Sequence, residues 1–189
     1  KIGIVFQNPD SQIIFSNIKE EFSYITQDEN IIDDALKYVD MLEYKNKDLY
    51  YLSLGQKQRI MIAEVLAKKP QYIIFDEPTT MIDSIGKVKI YKLIKKLKDE
   101  GYTIICITNL ADEILLADRT IILNNGEIVE QIEKTELVEK SNVFEKYEIR
   151  IPTLLEILVK LKSNGIELDN NDVLTVDSLV KELCVKMKK

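Results

Sequence analysis

Apolar residues fall along this chain in short blocks of two kinds, and the spacing within each block predicts its element. The stretches 2–6 (IGIVF), 72–75 (YIIF) and 103–108 (TIICIT) are near-continuous apolar runs, the pattern of buried strands. Between them the spacing becomes helical. Residues 31–42 place Ile31, Ile32, Ala35, Leu36, Val39 and Leu42 on one face. Residues 53–69 form a longer helix with Ser53 as N-cap, and 85–98 form another, stopped by Gly101. The polar QNPDSQ after the first strand predicts a turn, since Pro9 and Asp10 favour one. A short helix near 110–117 leads to a strand at 120–123, and Asn124-Asn125-Gly126 turns the chain into 127–130. Strands alternating with helices predict an α/β fold with a mostly parallel sheet wrapped by helices.

The character changes near Thr135. Pro152 opens a helix carrying Leu154, Leu155, Leu158 and Leu161, and Gly165 stands at its C-cap. A last helix starts at Leu174-Thr175, with Thr175 as N-cap and Leu174 stapled onto Leu179. The expected division is a main domain at 1–134 and a helical appendage at 135–189, the latter too short for a core of its own.

Composition narrows the classes. The chain has 189 residues, 46% of them hydrophobic, enough for one domain plus an appendage. A net charge of -6 and a pI near 4.9 leave no basic footprint for nucleic acid. No apolar run approaches the roughly 18 residues of a membrane helix, and no signal peptide is visible. Cys106 and Cys184 lie in apolar surroundings and are expected to be buried free thiols, suited to a reducing compartment. The absence of histidine excludes His-based triads and His metal sites within these residues.

The candidate chemistry sits in LSLGQKQR at 52–59 and YIIFDEPTT at 72–80. A strand ending in Asp76-Glu77 puts two carboxylates at the carboxyl edge of a sheet, where α/β folds bind ligands. Ser53, Gly55 and Gln56 open a helix whose unpaired N–H groups and dipole favour phosphate. Each piece has an ordinary alternative: a turn at DEP, a plain Ser cap, a polar Gln7 after a strand, an N-cap at Asp83. Their order and spacing favour the functional reading.

In that order they resemble the ATPase domain of ABC transporters from the Q-loop onward, over residues 1 to about 131. Within the superfamily, FQNPDSQ at 6–12 and the tail GIELDNNDVLTVDSLVKEL are similar to ATPase subunits of energy-coupling-factor importers of the cobalt and vitamin type. The resemblance implies a P-loop nucleotide-binding domain with a helical subdomain at about 16–70, binding ATP and Mg²⁺. It assigns Glu77 to polarise the attacking water and Asp76 to hold Mg²⁺. Gln7 would orient water or Mg²⁺ and lead into a loop facing the membrane partner. Ser53, Gly55 and Gln56 would contact the γ-phosphate held by the opposite subunit, and Asp83 would run along the dimer seam.

Two departures stand out. Leu54 replaces the first of two adjacent signature glycines, and Asn109 replaces the switch histidine after ICIT. Asn109 can donate one hydrogen bond but cannot become a cation. In the family's head-to-tail dimer Asn109 belongs to this chain's own site and Leu54 to the opposite one. No phosphate loop of the GxxxxGKS/T pattern occurs in the 189 residues. In the family that loop lies upstream of the first strand, so several tens of N-terminal residues are expected beyond Lys1.

The function implied is ATP hydrolysis powering import of a micronutrient, a vitamin or metal ion. The alternative is a degenerate ATP-binding subunit whose partner does most of the hydrolysis. A soluble ABC protein of ribosomes or DNA repair fits less well, because neither a second such domain nor a coiled-coil insertion is visible. Implied partners are a second ABC ATPase subunit, identical or different, a transmembrane scaffold and a substrate-binding membrane component, with no nucleic acid. The place implied is the cytoplasmic face of the membrane.

Overall fold

β-Branched residues dominate the strands that build the sheet. In a computed structural model, which describes residues 1–166 and 175–186, β1 (Ile2–Val5), β2 (Tyr72–Asp76) and β3 (Thr103–Ile107) form a parallel sheet in the order β1-β2-β3. The register sets Ile2 beside Tyr72, Val5 beside Phe75 and Asp76 beside Ile107. Val5, Ile73 and Phe75 point to one face and are fully buried. Ile2, Ile4, Ile105 and Ile107 point to the other face and are exposed. The expectation of a wholly buried first strand is therefore corrected: among the described residues, helices cover one face of the sheet only.

Four helices accompany this sheet: α1 (Ile18–Ser23), α2 (Glu29–Tyr38), α3 (Leu54–Ala67) and α4 (Ser84–Asp99). Helix α3 packs against α2, β1 and α4 and buries Ile60, Met61, Ile62 and Ala63 completely. Its approach to β1 depends on Gly3, where an added Cβ would come within 2.3 Å of Val65 Cγ1. Helix α2 is shorter than its apolar spacing predicts. It stops at Tyr38, and Asp40 takes a left-handed φ of 55°, so Val39, Met41 and Leu42 reach the core from a turn. Helix α1 carries no legible period because it is six residues long.

The chain divides into two compact units, Lys1–Asn109 and Leu110–Lys189. In the second, β4 (Arg119–Asn124) and β5 (Glu127–Glu133) form an antiparallel hairpin. Its turn has positive φ at both Asn125 (50°) and Gly126 (82°), the conformation an Asn-Gly pair favours. The segment before it, Ala111–Leu116, is a 3-10 helix. Three helices follow: α5 (Asn142–Lys146), α6 (Thr153–Ser163) and α7 (Val176–Lys186). The C-terminal helices pool their apolar faces with the hairpin. Ile122 and Ile132 share a cluster with Phe144, Leu155, Leu158 and Leu179. The contacts thus divide the chain at Asn109/Leu110 and group the hairpin with the helices after it.

Helix α6 ends as expected, with Gly165 at φ 78° and the Ile166 N–H donating to the Leu161 carbonyl. Thr175 caps α7, its Oγ1 accepting from the Ser178 N–H at 3.2 Å. The proposed staple partner Leu174 lies outside the described residues. Neither cysteine forms a disulfide, and neither is buried as expected. Cys106 sits on β3, paired on one side only, and Cys184 on an outward face of α7.

Candidate functional site

Parallel strands deliver their carboxyl ends to one edge of the sheet, and here three successive ends meet. Gln7 lies two residues past β1, Asp76 ends β2 with Glu77 just after it, and Asn109 lies two residues past β3. The Glu77 N–H still bonds the Ile107 carbonyl at 2.9 Å, but the residue itself turns to a left-handed φ of 44°. That conformation is uncommon for a non-glycine and clusters at functional sites.

The turn brings the Glu77 carboxylate among three donors. Gln7 Nε2 donates to Oε2 at 2.9 Å, Thr80 Oγ1 donates to the same oxygen at 3.1 Å, and Asn109 Nδ2 donates to Oε1 at 3.3 Å. An ionised carboxylate offers about four lone-pair sites, so one position, on Oε1, is left for a further donor such as water. With Nε2 given to Glu77, the hydrogen-bond network directs the Gln7 carbonyl Oε1 away from that carboxylate.

Asp76 differs from Glu77. It is half-buried, and its side chain makes no hydrogen bond or ion pair among the described residues. Asp76 and Gln7 Oε1 are hard oxygen donors of the kind Mg²⁺ takes. Among the described residues no group of three or more His, Cys, Asp or Glu is arranged to hold a metal. The pair fits an ion held largely by water and substrate phosphates, and does not fit a closed protein cage.

The signature residues form a separate group. Ser53 Oγ accepts from the Gln56 N–H at 3.3 Å, and Gln56 Oε1 accepts from the Ser53 N–H at 2.9 Å, a complete capping box. Neither residue bonds to the Glu77 cluster. Gly55 has a packing role: a Cβ there would come within 3.3 Å of Ile82 Cγ2 and 3.9 Å of Gly86 Cα. Asp83 caps α4, its Oδ1 accepting from the Gly86 N–H at 2.8 Å. Leu54 is the first residue of α3 and half-buried.

The loop after β1 is tied down more firmly than its composition suggests. Asn8 Oδ1 accepts from the Asp10 N–H, and Gln12 bonds both the Phe6 N–H and the Ile4 carbonyl along the edge of β1. Lys57 Nζ donates to Asp10 at 2.6 Å and Gln58 Nε2 to the Phe6 carbonyl at 3.0 Å, joining the loop to α3. Sequence reasoning missed Thr80, Lys57 and Gln58. Nothing local marks them, since each acts across a fold contact or a turn.

The family described as ABC transporter matches residues 1–80. The energy-coupling factor transporter ATP-binding protein EcfA1 of Caldanaerobacter subterraneus subsp. tengcongensis is 37% identical over 191 residues, covering 96% of this chain and 69% of that protein. EcfA1 of Clostridium novyi is also 37% identical, covering 96% of this chain and 68% of its own length. Among solved structures, cbiO1 from Clostridium perfringens, part of the ABC transporter complex cbiONQ, superposes with a TM-score of 0.67 at 31% identity. That match covers 82% of this chain and 66% of cbiO1. A dimeric post-hydrolysis state of the ATP-binding cassette MJ0796, bound to ADP and Pi, gives a TM-score of 0.60 at 28% identity. It covers 70% of this chain and 62% of that one.

Proposed function

We propose, from the premise that this chain belongs to the ABC transporter family and within it to the energy-coupling factor ATP-binding proteins, that it hydrolyses ATP to drive import of a micronutrient. The observation that carries the reading is the convergence of Gln7, Asp76, Glu77 and Asn109 at the ends of three neighbouring parallel strands. Glu77 accepts a proton at Oε1 from a water as that water's oxygen bonds the γ-phosphorus and the bond to the bridging oxygen breaks, giving ADP and phosphate. Gln7 and Asn109 hold the carboxylate in place. Bound Mg²⁺ would neutralise phosphate charge, held by Asp76 and by Gln7 Oε1. Ser53, Gly55 and Gln56 are the residues through which this chain would meet the γ-phosphate in a partner subunit's site, with Asp83 along the seam.

Partners follow from the same reading. No helix among the described residues is long and apolar enough to cross a membrane. Import therefore needs a transmembrane scaffold and a solute-binding membrane component, with this chain on the cytoplasmic face beside a second ATPase subunit. An exposed apolar patch of Ile14, Phe15 and Tyr24, next to the loop at Gln7–Gln12, supports docking there.

Asn109 favours a second reading, a subunit that binds ATP but hydrolyses slowly. Its neutral amide supplies a hydrogen bond where a histidine could also carry charge. Steady-state phosphate release by the complex purified with its membrane partners tests both. Glu77→Gln should cut turnover by at least about 10², and Asn109→His should raise it at least about tenfold, a barrier change of ~1.4 kcal/mol. Unchanged turnover in Glu77→Gln would defeat the hydrolytic reading. Equal rates for the native protein and Asn109→His would defeat the slow-site reading.

A further inference from the structure

A carboxylate on a long side chain turns easily about its last torsion, which is broad and two-fold, so its partners decide how its plane is set and which lone-pair position stays open. At Glu77 two of those partners sit on distant segments. Gln7 follows β1, on the loop tied to α3, and Asn109 follows β3 at the longer distance of 3.3 Å. The third is local. Thr80 lies three residues beyond Glu77 in the same turn, where its N–H donates to the Glu77 carbonyl at 3.3 Å and its Oγ1 to Oε2 at 3.1 Å. Its hydroxyl therefore keeps its partner when either flanking loop shifts.

We propose that Thr80 is a positioning residue for Glu77, occupying one oxygen position of the carboxylate so that the other, beside Asn109, takes the proton from water. The inference rests on the hydrolytic reading of the site. Gln7 and Thr80 together fill both lone-pair sites of Oε2, while Asn109 fills one of the two on Oε1. The remaining acceptor position is then unique, and it lies beside Asn109. Without the Thr80 hydroxyl, Oε2 regains an open site and the two oxygens become near-equivalent acceptors. A water can then bond at either oxygen position, only one of which lies beside Asn109, and Gln7 and Asn109 are left to resist rotation of the carboxylate plane. Where the position two residues past β3 holds a neutral amide, the burden on a local donor is greater.

Thr80 is exposed and its side chain touches no phosphate position proposed above, so its loss should leave nucleotide binding alone. In the complex purified with its membrane partners, Thr80→Val, which keeps the shape and removes the hydroxyl, should lower kcat about three- to tenfold, with the KM for ATP unchanged. Thr80→Ser should restore at least half of the native kcat. Thermal midpoints measured alongside should agree among the three proteins. Native kcat in Thr80→Val would overturn the proposal, and so would a loss that Thr80→Ser fails to rescue or one confined to KM. Glu77→Gln in the same preparation separates the two levels. If it keeps native turnover, the hydrolytic reading itself is wrong. If it is inactive while Thr80→Val is native, only the role of Thr80 falls.

Discussion

Glu64 is a carboxyl group held almost out of reach of water. It lies in the middle of α3, buried, and its Oε1 has no hydrogen-bond partner. Burial is the main force pushing its pKa up, from the ordinary 4.5 to about 8. The neighbouring Glu21 of α1 raises it further, and Lys68, at the end of α3, opposes both. Glu21 is buried as well, but its carboxylate accepts from the backbone N–H groups of Ile14 at 3.0 Å and Phe15 at 2.6 Å. The unfolded chain releases the Glu64 proton near pH 4.5, and the folded chain keeps it to about pH 8. Across that window the folded state holds more protons, so stability falls as pH rises and levels off above it. Glu64→Gln should remove this component, matching the native protein near pH 5 and exceeding it at pH 8 by a few kcal/mol, roughly 5–10 °C in melting midpoint. Melting curves of both proteins from pH 5 to 9 test this, and parallel curves would refute it. Nothing in the sequence marks Glu64: a charged residue on an apolar helix reads as a solvated edge until packing on all sides of α3 is known. Thr80 was hidden for a related reason, because its partner is set by the left-handed turn at Glu77 and not by any repeating pattern.

Elements with a strong local signal were legible, and those shaped by tertiary contacts were not. The start of α3 at Ser53, the cap of α4 at Asp83 and the Asn-Gly hairpin follow from short-range chemistry, and each appears where its residues predict it. Helix α2 overran because Val39 and Leu42 continue the apolar spacing, although the backbone reverses at Asp40. The link between the loop after β1 and α3 was invisible, since Asp10 and Lys57 are 47 positions apart. That link makes a measurable claim. Lys57 is largely covered, with 13% of its side chain accessible, while Asp10 is half exposed, so solvent screens part of the attraction. A double-mutant cycle with Asp10→Asn and Lys57→Met should give a coupling energy of about 0.5–1 kcal/mol in unfolding free energy, reduced by half or more in 1 M salt. Additive effects would mean that the Lys57–Asp10 pair does not help hold the loop.

The class of the whole molecule was legible from the alternation of strands and helices, and its family from the order of motifs. The contacts place a boundary between Asn109 and Leu110, and local pattern cannot tell which core a hairpin joins. The charge of the assembled site now bears on what residues 1–189 can do unaided. Asp76 and Glu77 bring two carboxylates to the sheet edge, and the groups bonded to Glu77 are neutral amides and a hydroxyl. A triphosphate approaching this edge meets negative charge with no cation in the cluster. Bringing like charges together costs about 1 kcal/mol per pair at 4 Å even in bulk water. In a GxxxxGKS/T loop, backbone N–H groups and a lysine cradle the phosphates and offset that repulsion, and these residues contain no such loop. Residues 1–189 alone should therefore bind ATP with a Kd of about 1 mM or weaker, or not measurably, with Mg²⁺ giving only a modest gain. Asp76→Asn should weaken the Mg²⁺ dependence while leaving metal-free binding equal or slightly tighter. Isothermal titration of ATP into these residues, with and without Mg²⁺, decides the matter. Micromolar affinity would place the phosphates elsewhere on the chain, and the assignment of Asp76 and Gln7 to the metal would fall with it.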